Sequence, residues 1–415
     1  MKLKGFQKLT LTDQALQKWL SALQFGAPKS EAVSLHNASG RVLAENLVAQ
    51  TDLPRFDKSA MDGFALKSAE TVGASQSRPA VFDLTENQEV ADKQAKQVWT
   101  GNPMPKGADA VVMIENTQKH GGKLEVWSQL TPSVNVSKVG EDIKKGIAIA
   151  KAGVRLNPYH IGLAAALGYS QLEVYEKPKI GILATGNELA EVGAELSGSL
   201  IYDSNKIMLS AECAELGAET TDYGIVKDDV DEIAQRIQKA LKTQNAVITT
   251  GGTSVGGLDL VPDAVNKLGK PGVIVHGVAL RPAMPTAVAM LDGKPVLILS
   301  GNPVAAIVGF EVFGRPMVCK LLGMAQTEPR PALKATLARR VASVLGRKTY
   351  VRVHVTFKNW EFYAEPISAK GSGSISTMTQ SNGFVIVQEN SEGVSEGETV
   401  LVHMFGGVEA VEQNV

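Results

Sequence analysis

Between residues 178 and 325, short and uniformly apolar runs alternate with amphipathic segments of helical period. No other feature of the chain restricts its fold so strongly. A run such as Ala246-Val247-Ile248-Thr249-Thr250 presents no polar face to water, so both faces need cover, as in a parallel strand between two helix layers. Residues 179–185 read as a first strand of this kind and 223–226 as a second. Between them Asp203-Ser204-Asn205 can cap a helix running to Gly217, with a small-residue stripe through Ile207, Ala211 and Ala214. Asp228 and Asp229 open a helix with Ile233, Ile237 and Leu241 at helical spacing, and Leu260, Ala264 and Leu268 mark another. Asp292-Gly293 sets a hairpin turn between strands at 286–291 and 295–299. Strands and helices in this alternation predict a doubly wound parallel sheet.

The flanking stretches follow other periods. Residues 12–25 read as an amphipathic helix, with Thr12 as its N-cap and Leu16, Trp19, Leu20 and Leu23 on one face. From about 47 to 140, short β-like runs lie between turn residues and mark a β-rich insert. Mixed structure returns from Gly140 to about Tyr175, with a helix at 161–167 ending at Gly168. Beyond the joint Pro329-Arg330-Pro331 the runs 333–337, 351–356, 384–388 and 399–404 predict a small barrel or sandwich.

Composition narrows the function classes. Lys plus Arg is 42 against 43 for Asp plus Glu, a net charge of -1 that lacks the cation surplus nucleic-acid binding needs. Cys213 and Cys319 form no CxxC pair, which argues against a disulfide scaffold, structural zinc or an iron–sulfur cluster. No apolar stretch follows the basic start and none approaches a membrane span of about 20 residues, so the chain is read as cytoplasmic, with no membrane partner. The six histidines show no ligand spacing and are taken as structural or surface residues.

Chemistry concentrates at the strand ends. Thr250-Gly251-Gly252-Thr253-Ser254-Val255-Gly256-Gly257-Leu258-Asp259 follows a buried strand, where an open parallel sheet binds its ligands. Its glycines allow backbone N–H groups to approach an anion, although neither a Walker loop nor a GxGxxG fingerprint is present. Thr185-Gly186-Asn187-Glu188 and Ser300-Gly301-Asn302-Pro303 are two further polar loops, each explicable singly as turn chemistry. Together they are expected to line one crevice. Glu188, Asp228 and Asp259 are candidate acids there, with helix capping the competing role for Asp228. Carboxylates beside an anion need a hard cation such as Mg²⁺ between them. Arg281, on the two-proline turn Arg281-Pro282-Ala283-Met284-Pro285, is a candidate for an oxyanion. In the insert, Asp62 lies within a dense motif, Phe56-Asp57-Lys58-Ser59-Ala60-Met61-Asp62-Gly63-Phe64-Ala65, and Thr100 within a second polar turn.

These motifs, with Thr100-Gly101-Asn102-Pro103, Gly107-Ala108-Asp109-Ala110-Val111-Val112 and Gly301-Asn302-Pro303-Val304, resemble the molybdopterin molybdenumtransferases over nearly the whole chain. That family inserts molybdenum during molybdenum cofactor synthesis and includes the C-terminal domain of gephyrin. The resemblance implies a multi-domain α/β fold: an elongated mixed linker domain (1–46 with 141–177), the β-rich insert (47–140), a doubly wound molybdopterin-binding domain (178–328) and a C-terminal β-barrel (329–415). It implies adenylylated molybdopterin and molybdate as substrates, with tungstate the alternative, and Mg²⁺-dependent release of AMP. Asp62, Glu188, Asp228 and Asp259 then fall on catalytic positions, with Glu188 and Asp259 as Mg²⁺ ligands. Thr100, Thr185, Gly186, Gly251, Gly252, Thr253, Ser254, Gly256, Arg281, Ser300, Gly301, Asn302 and Pro303 fall on substrate-binding ones. A homodimer with a composite active site is implied, with molybdopterin adenylyltransferase and molybdoenzyme-maturation proteins as further partners. Two departures stand out. Met284 replaces a lysine of the family's Lys-Pro-Gly-Lys-Pro, while Ser300 and Ala305 replace a proline and a serine in its Leu-Pro-Gly-Asn-Pro-Val-Ser. A molybdopterin-binding scaffold without turnover is the competing reading. Molybdopterin adenylyltransferase itself has no place for residues 1–175 and 330–415.

Overall fold

The computed structural model describes residues 9–253, 259–325, 330–367 and 371–410, which fall into two compact units. One spans Ala32–Val174, and the other joins the stretches on either side of it. Among the described residues no helix is long and apolar enough to cross a membrane.

Ala32–Val174 is built on a six-stranded sheet. Its strands run in the spatial order Ala110–Met113, Gly63–Leu66, Gln94–Val98, Ala80–Leu84, Lys123–Val126 and Thr117–His120. Phe64, Leu66, Phe82, Val112 and Leu124 form its core. All these strands lie within the residues read as the β-rich insert. The helix read at 161–167 spans Pro158–Ala166. The Asn157 side chain accepts from His160 N while the His160 ring accepts from Asn157 N, so this histidine serves as half of a capping box.

In the other unit the apolar alternation resolves as read. Its strands are β1 (Lys179–Thr185), β2 (Glu219–Val226), β3 (Ala246–Thr250), β4 (Pro271–His276), β5 (Ala287–Leu291) and β6 (Lys294–Leu299). They pair in the order β2-β1-β3-β6-β5-β4; the first four are parallel, β5 is antiparallel to β6, and β4 is antiparallel to β5. The β5–β6 turn falls at Asp292-Gly293, both at positive φ (49° and 74°), the two-residue hairpin geometry that matches strand twist. Helices α1 (Asn205–Leu216), α2 (Val230–Leu241), α3 (Leu260–Leu268) and α4 (Pro303–Gly309) fill the connections. From α2 and α3, Ile233, Ile237, Val261 and Val265 pack against Leu183, Val247 and Val296 of the sheet. The alternate strand residues Ile180, Ile182, Ile248 and Leu297 are equally buried, as a sheet covered on both faces requires.

The C-terminal strands close a barrel. Strands β7 (Ala332–Leu337), β8 (Lys348–Lys358), β9 (Glu361–Pro366), β10 (Gly383–Val387) and β11 (Thr399–Met404) pair in the order β8-β9-β7-β11-β10, and β10 returns to β8. Leu337, Val353, Val355, Ala364, Val385 and Val402 fill its interior.

Two local expectations need correction. The first helix is Thr12–Ala22, and Thr12 is its first residue instead of its cap. The Thr12 hydroxyl donates to Ala279 O at 2.9 Å, a tertiary partner that outcompetes the local one. Ala15, Trp19 and Leu23 are its most buried apolar residues, with Leu16 and Leu20 only half-buried. In α1 the buried face carries Leu209, Cys213 and Leu216, while Ile207, Ala211 and Ala214 point to solvent. That helix contacts α4 and Arg315–Leu321, and those neighbours select the face.

Candidate active site

The carboxyl ends of β1, β2, β3 and β6 surround a cavity of about 460 Å³. The loop after β1 brings Thr185, Gly186 and Glu188 to it; the loop after β2 brings Asp228; the loop after β3 brings Gly251, Gly252 and Thr253. Ser300, Gly301 and Asn302 close it from the end of β6, and Asn205 enters from the start of α1. Three polar loops that were singly ambiguous thus share one crevice. Pro303, just beyond, opens α4. Ser254 and Gly256 lie outside the described residues.

Glycine is required in the floor. Gly251 has φ +85°, and a Cβ there would stand 2.2 Å from Thr185 O. Gly252 has φ +62°, and its Cβ would meet Val261 Cγ2 at 2.6 Å. At Gly186 a Cβ would lie 2.8 and 2.9 Å from the two Glu188 carboxylate oxygens, so the missing side chain leaves a cradle for that carboxylate. Around this floor the Oγ1 atoms of Thr185 and Thr253 and Oδ1 of Asn205 are buried without a hydrogen-bond partner. A buried polar atom left unmet costs about 1–3 kcal/mol. The cavity therefore has unspent donors and acceptors for a polar ligand.

The acids sort themselves by capping. Asp229, not Asp228, caps α2, accepting from Asp231 N at 3.0 Å and Glu232 N at 2.8 Å. Asp228 is thereby left to the cavity, where its Oδ2 accepts from Asn187 N and its own N donates to Asn187 Oδ1, both at 3.3 Å. Glu188 and Asp228 are brought together. Asp259 is not among the side chains lining this cavity: it precedes α3, and its Oδ1 stands 3.6 Å from His276 Nε2. Among the described residues no group of three or more His, Cys, Asp or Glu side chains gathers as a metal site. Two carboxylates at one polar cavity are a donor set that Mg²⁺ could use, since that ion is commonly held by one or two carboxylates with other oxygens completing its shell.

A second cavity, of about 470 Å³, adjoins the first through Ser300 and Asn302 and reaches to the barrel. Arg281 lines it, as do Met284, Arg347 and Arg352. Residues Leu280–Arg281 form a short strand parallel to β8, with Arg281 opposite Thr349, so the two-proline turn is anchored on the barrel. Arg352 escaped the sequence reading. It is half-buried, its Nε is buried without a partner, and desolvation pulls its pKa below the usual guanidinium value. The one available signal was a lone arginine inside the apolar run Val351-Arg352-Val353. Arg281 and Arg352 give this cavity a cationic wall suited to an oxyanion.

In Ala32–Val174 the two site residues read from the insert do meet. Asp62 Oδ1 accepts from both N and Oγ1 of Thr100 at 2.7 Å, and these bonds hold its carboxyl below the usual carboxylate range. Asp57 of the same motif accepts from Val139 N and from Lys138 Nζ, both at 2.9 Å. Gly63 permits the tight strand pairing beneath, since a Cβ there would lie 1.9 Å from Val112 O.

Family models match three consecutive parts of the chain. "MoeA N-terminal region (domain I and II)" covers residues 10–168, "Probable molybdopterin binding domain" 181–320, and "MoeA C-terminal region (domain IV)" 334–405. A molybdopterin molybdenumtransferase of Staphylococcus aureus (strain COL) is 35% identical over 376 residues, spanning 89% of each chain. That of Bacillus subtilis is 34% identical over 386 residues, spanning 90% of this chain and 89% of its own. The crystal structure of a molybdopterin biosynthesis MoeA protein from Pyrococcus horikoshii superposes with a TM-score of 0.83 at 31% identity. It covers 96% of this chain and all of that one.

Proposed function

The chain belongs to the molybdopterin molybdenumtransferase family, and we propose that it transfers molybdenum from molybdate to adenylylated molybdopterin, with release of AMP. It is thus a transferase of molybdenum cofactor biosynthesis. One observation carries the finer reading: a cavity with two carboxylates and unmet buried hydroxyls opens, through Ser300 and Asn302, onto a cavity walled by Arg281 and Arg352. The first suits a pterin phosphate ester, whose oxygens can take the donors of Thr185, Thr253 and the glycine backbone. The second suits the tetrahedral oxyanion, which the guanidinium groups hold against the shared Ser300–Asn302 wall. Mg²⁺, when held by Glu188 and Asp228, would offset the charge that builds on the phosphoanhydride as it is cleaved. Glu188 and Asp228 would hold that cation from the adjoining loops after β1 and β2, while the bonds from Thr100 keep the Asp62 carboxyl below its usual range.

The same reading pairs two copies of the chain in the cytoplasm. Ile201 of the cavity lining, Tyr202 next to it in sequence and Ile207 on α1 are 55%, 44% and 62% exposed, apolar side chains that a second copy can cover. A molybdopterin adenylyltransferase is the class of enzyme that would supply the adenylylated substrate. The test is direct. Purified protein is incubated with adenylylated molybdopterin, Mg²⁺ and either molybdate or tungstate, and AMP is measured. Release with molybdate supports the reading, release only with tungstate changes the metal, and binding without release with either makes the chain a scaffold.

A further inference from the structure

Three of the segments that line the carboxylate cavity are the loop after β1 with Glu188, strand β2 leading to Asp228, and α1 beginning at Asn205. The first of these is an excursion from the sheet. Among the described residues its only strand pairing is local, Leu189–Ala190 with Ile201–Tyr202. A catalytic carboxylate on such a segment needs an anchor.

The anchor is a buried ammonium. The Lys206 side chain is 3% exposed. Its Nζ donates to Glu191 Oε1 and Oε2 at 3.1 and 3.2 Å, and to both Asp222 carboxylate oxygens at 3.0 Å. Asp203 Oδ2 lies 3.8 Å away, while Asp203 Oδ1 accepts from Asn205 N and Lys206 N at the start of α1. Burial alone would pull the lysine's pKa down, but the hydrogen bonds to Asp222 and Glu191 outweigh it and hold the value above the usual. Strand β2 is bulged just beyond Asp222. Ile182 pairs with Asp222 and Ala184 with Ile225, so two residues of β2 oppose one of β1. Gly224 takes φ +80° in the bulge and donates its N–H to Asp222 Oδ1 at 2.7 Å.

We infer that Lys206 is a positioning residue of the active site, its ammonium fixing the Glu188 loop, the Asp228 strand and α1 in one arrangement. Glu191 lies three residues beyond Glu188, and Asp222 six before Asp228, so both carboxylate-bearing segments converge on one Nζ. The inference rests on the reading of Glu188 as a functional carboxylate.

The experiment compares Glu188→Gln, Lys206→Met, Glu191→Gln and the double variant Lys206→Met/Glu191→Gln. It reads kcat for AMP release, the Mg²⁺ concentration for half-maximal rate, and the unfolding midpoint. Loss of residues that orient metal ligands commonly costs about 10–100-fold. Lys206→Met and Glu191→Gln are each expected to lower kcat within that range and raise the Mg²⁺ requirement. The double variant should be no worse than Lys206→Met, because both remove one anchor. Glu191 is 59% exposed, so its variant folds and decides the matter even where Lys206→Met does not. If Glu188→Gln is inactive while Glu191→Gln keeps parental kcat and Mg²⁺ dependence, Lys206 is structural and the inference falls. If Glu188→Gln itself keeps full turnover, it is the site assignment that has failed.

Discussion

Gly251→Ala is the sharpest perturbation of the cavity floor. At φ +85° an L-residue takes on about 1–2 kcal/mol of backbone strain. The added Cβ would stand 2.2 Å from Thr185 O, a backbone atom that no side-chain rotation can move aside. Parting the two chains to ordinary contact needs a shift of about 1 Å, and overpacking of this kind costs about 1–3 kcal/mol. The sum is about 2–5 kcal/mol. At about 2–4 °C per kcal/mol for a domain of this size, the melting midpoint of the sheet domain should fall by about 4–20 °C. Gly301→Ala is the control, because it lines the same cavity but its Cβ would find its nearest neighbour, Gly251 Cα, at an ordinary 3.6 Å. Its stability should change by no more than about 0.5 kcal/mol. Calorimetry reads both, and AMP release is measured well below each midpoint. A displacement of about 1 Å beside Thr185 should cost Gly251→Ala about 100-fold in turnover. A midpoint within about 2 °C of the parent, or an equal fall for Gly301→Ala, would refute the steric argument.

Three further outcomes are expected. Met284→Lys adds a cation to the wall shared by Arg281 and Arg352 and should lower the molybdate concentration for half-maximal AMP release about tenfold, or about 1.4 kcal/mol; an unchanged oxyanion dependence would mean that residue 284 does not face the anion. Thr100→Val deletes one of the two donors that keep the Asp62 carboxyl below its usual range, so its pKa should rise and the protonated form should build up at higher pH. An Asp62 carboxyl titration by NMR that does not move would contradict that cause. Mixing Asp62→Asn with Glu188→Gln protein under subunit exchange should restore activity if two copies share each site, since one site collects both lesions and the other neither. Persistent inactivity after confirmed exchange would place each site within one chain.

The sheet domain was legible because burial on both faces leaves a strand little room for charged or strongly polar residues, and all five residues of β3 are buried. The loops at the strand ends followed from topology, and so did their meeting in one cavity. Helix faces and caps were less legible. Apolar residues occur on more than one side of α1, and only its neighbours decide that Leu209 and Cys213, not Ile207 and Ala211, turn inward. Thr12 has a cap's chemistry, yet a carbonyl 267 residues away claims its hydroxyl. Asp228 and Asp229 are equivalent as letters, and the helix takes the second. Strand β9, Glu361-Phe362-Tyr363-Ala364-Glu365-Pro366, went unread because its half-buried residues give only a weak alternation.

Lys206 and Arg352 were invisible for a deeper reason. A charged residue inside an element ordinarily signals a solvated face, and nothing nearby distinguishes one that will be buried. Lys206 is buried where strand β2 and the excursion after β1 bring two carboxylates to it, the first 16 residues and the second 15 residues away in sequence. Arg352 is half-buried only because the barrel closes and the Arg281 turn pairs onto β8. In both cases the charge is tolerated by partners or by a ligand that the folded chain assembles, which local sequence cannot announce. The distinction is itself informative. Lys206 meets its counter-charges inside the protein and serves geometry, whereas Arg352 keeps a buried Nε without a partner beside Arg281 and leaves its demand to an incoming anion.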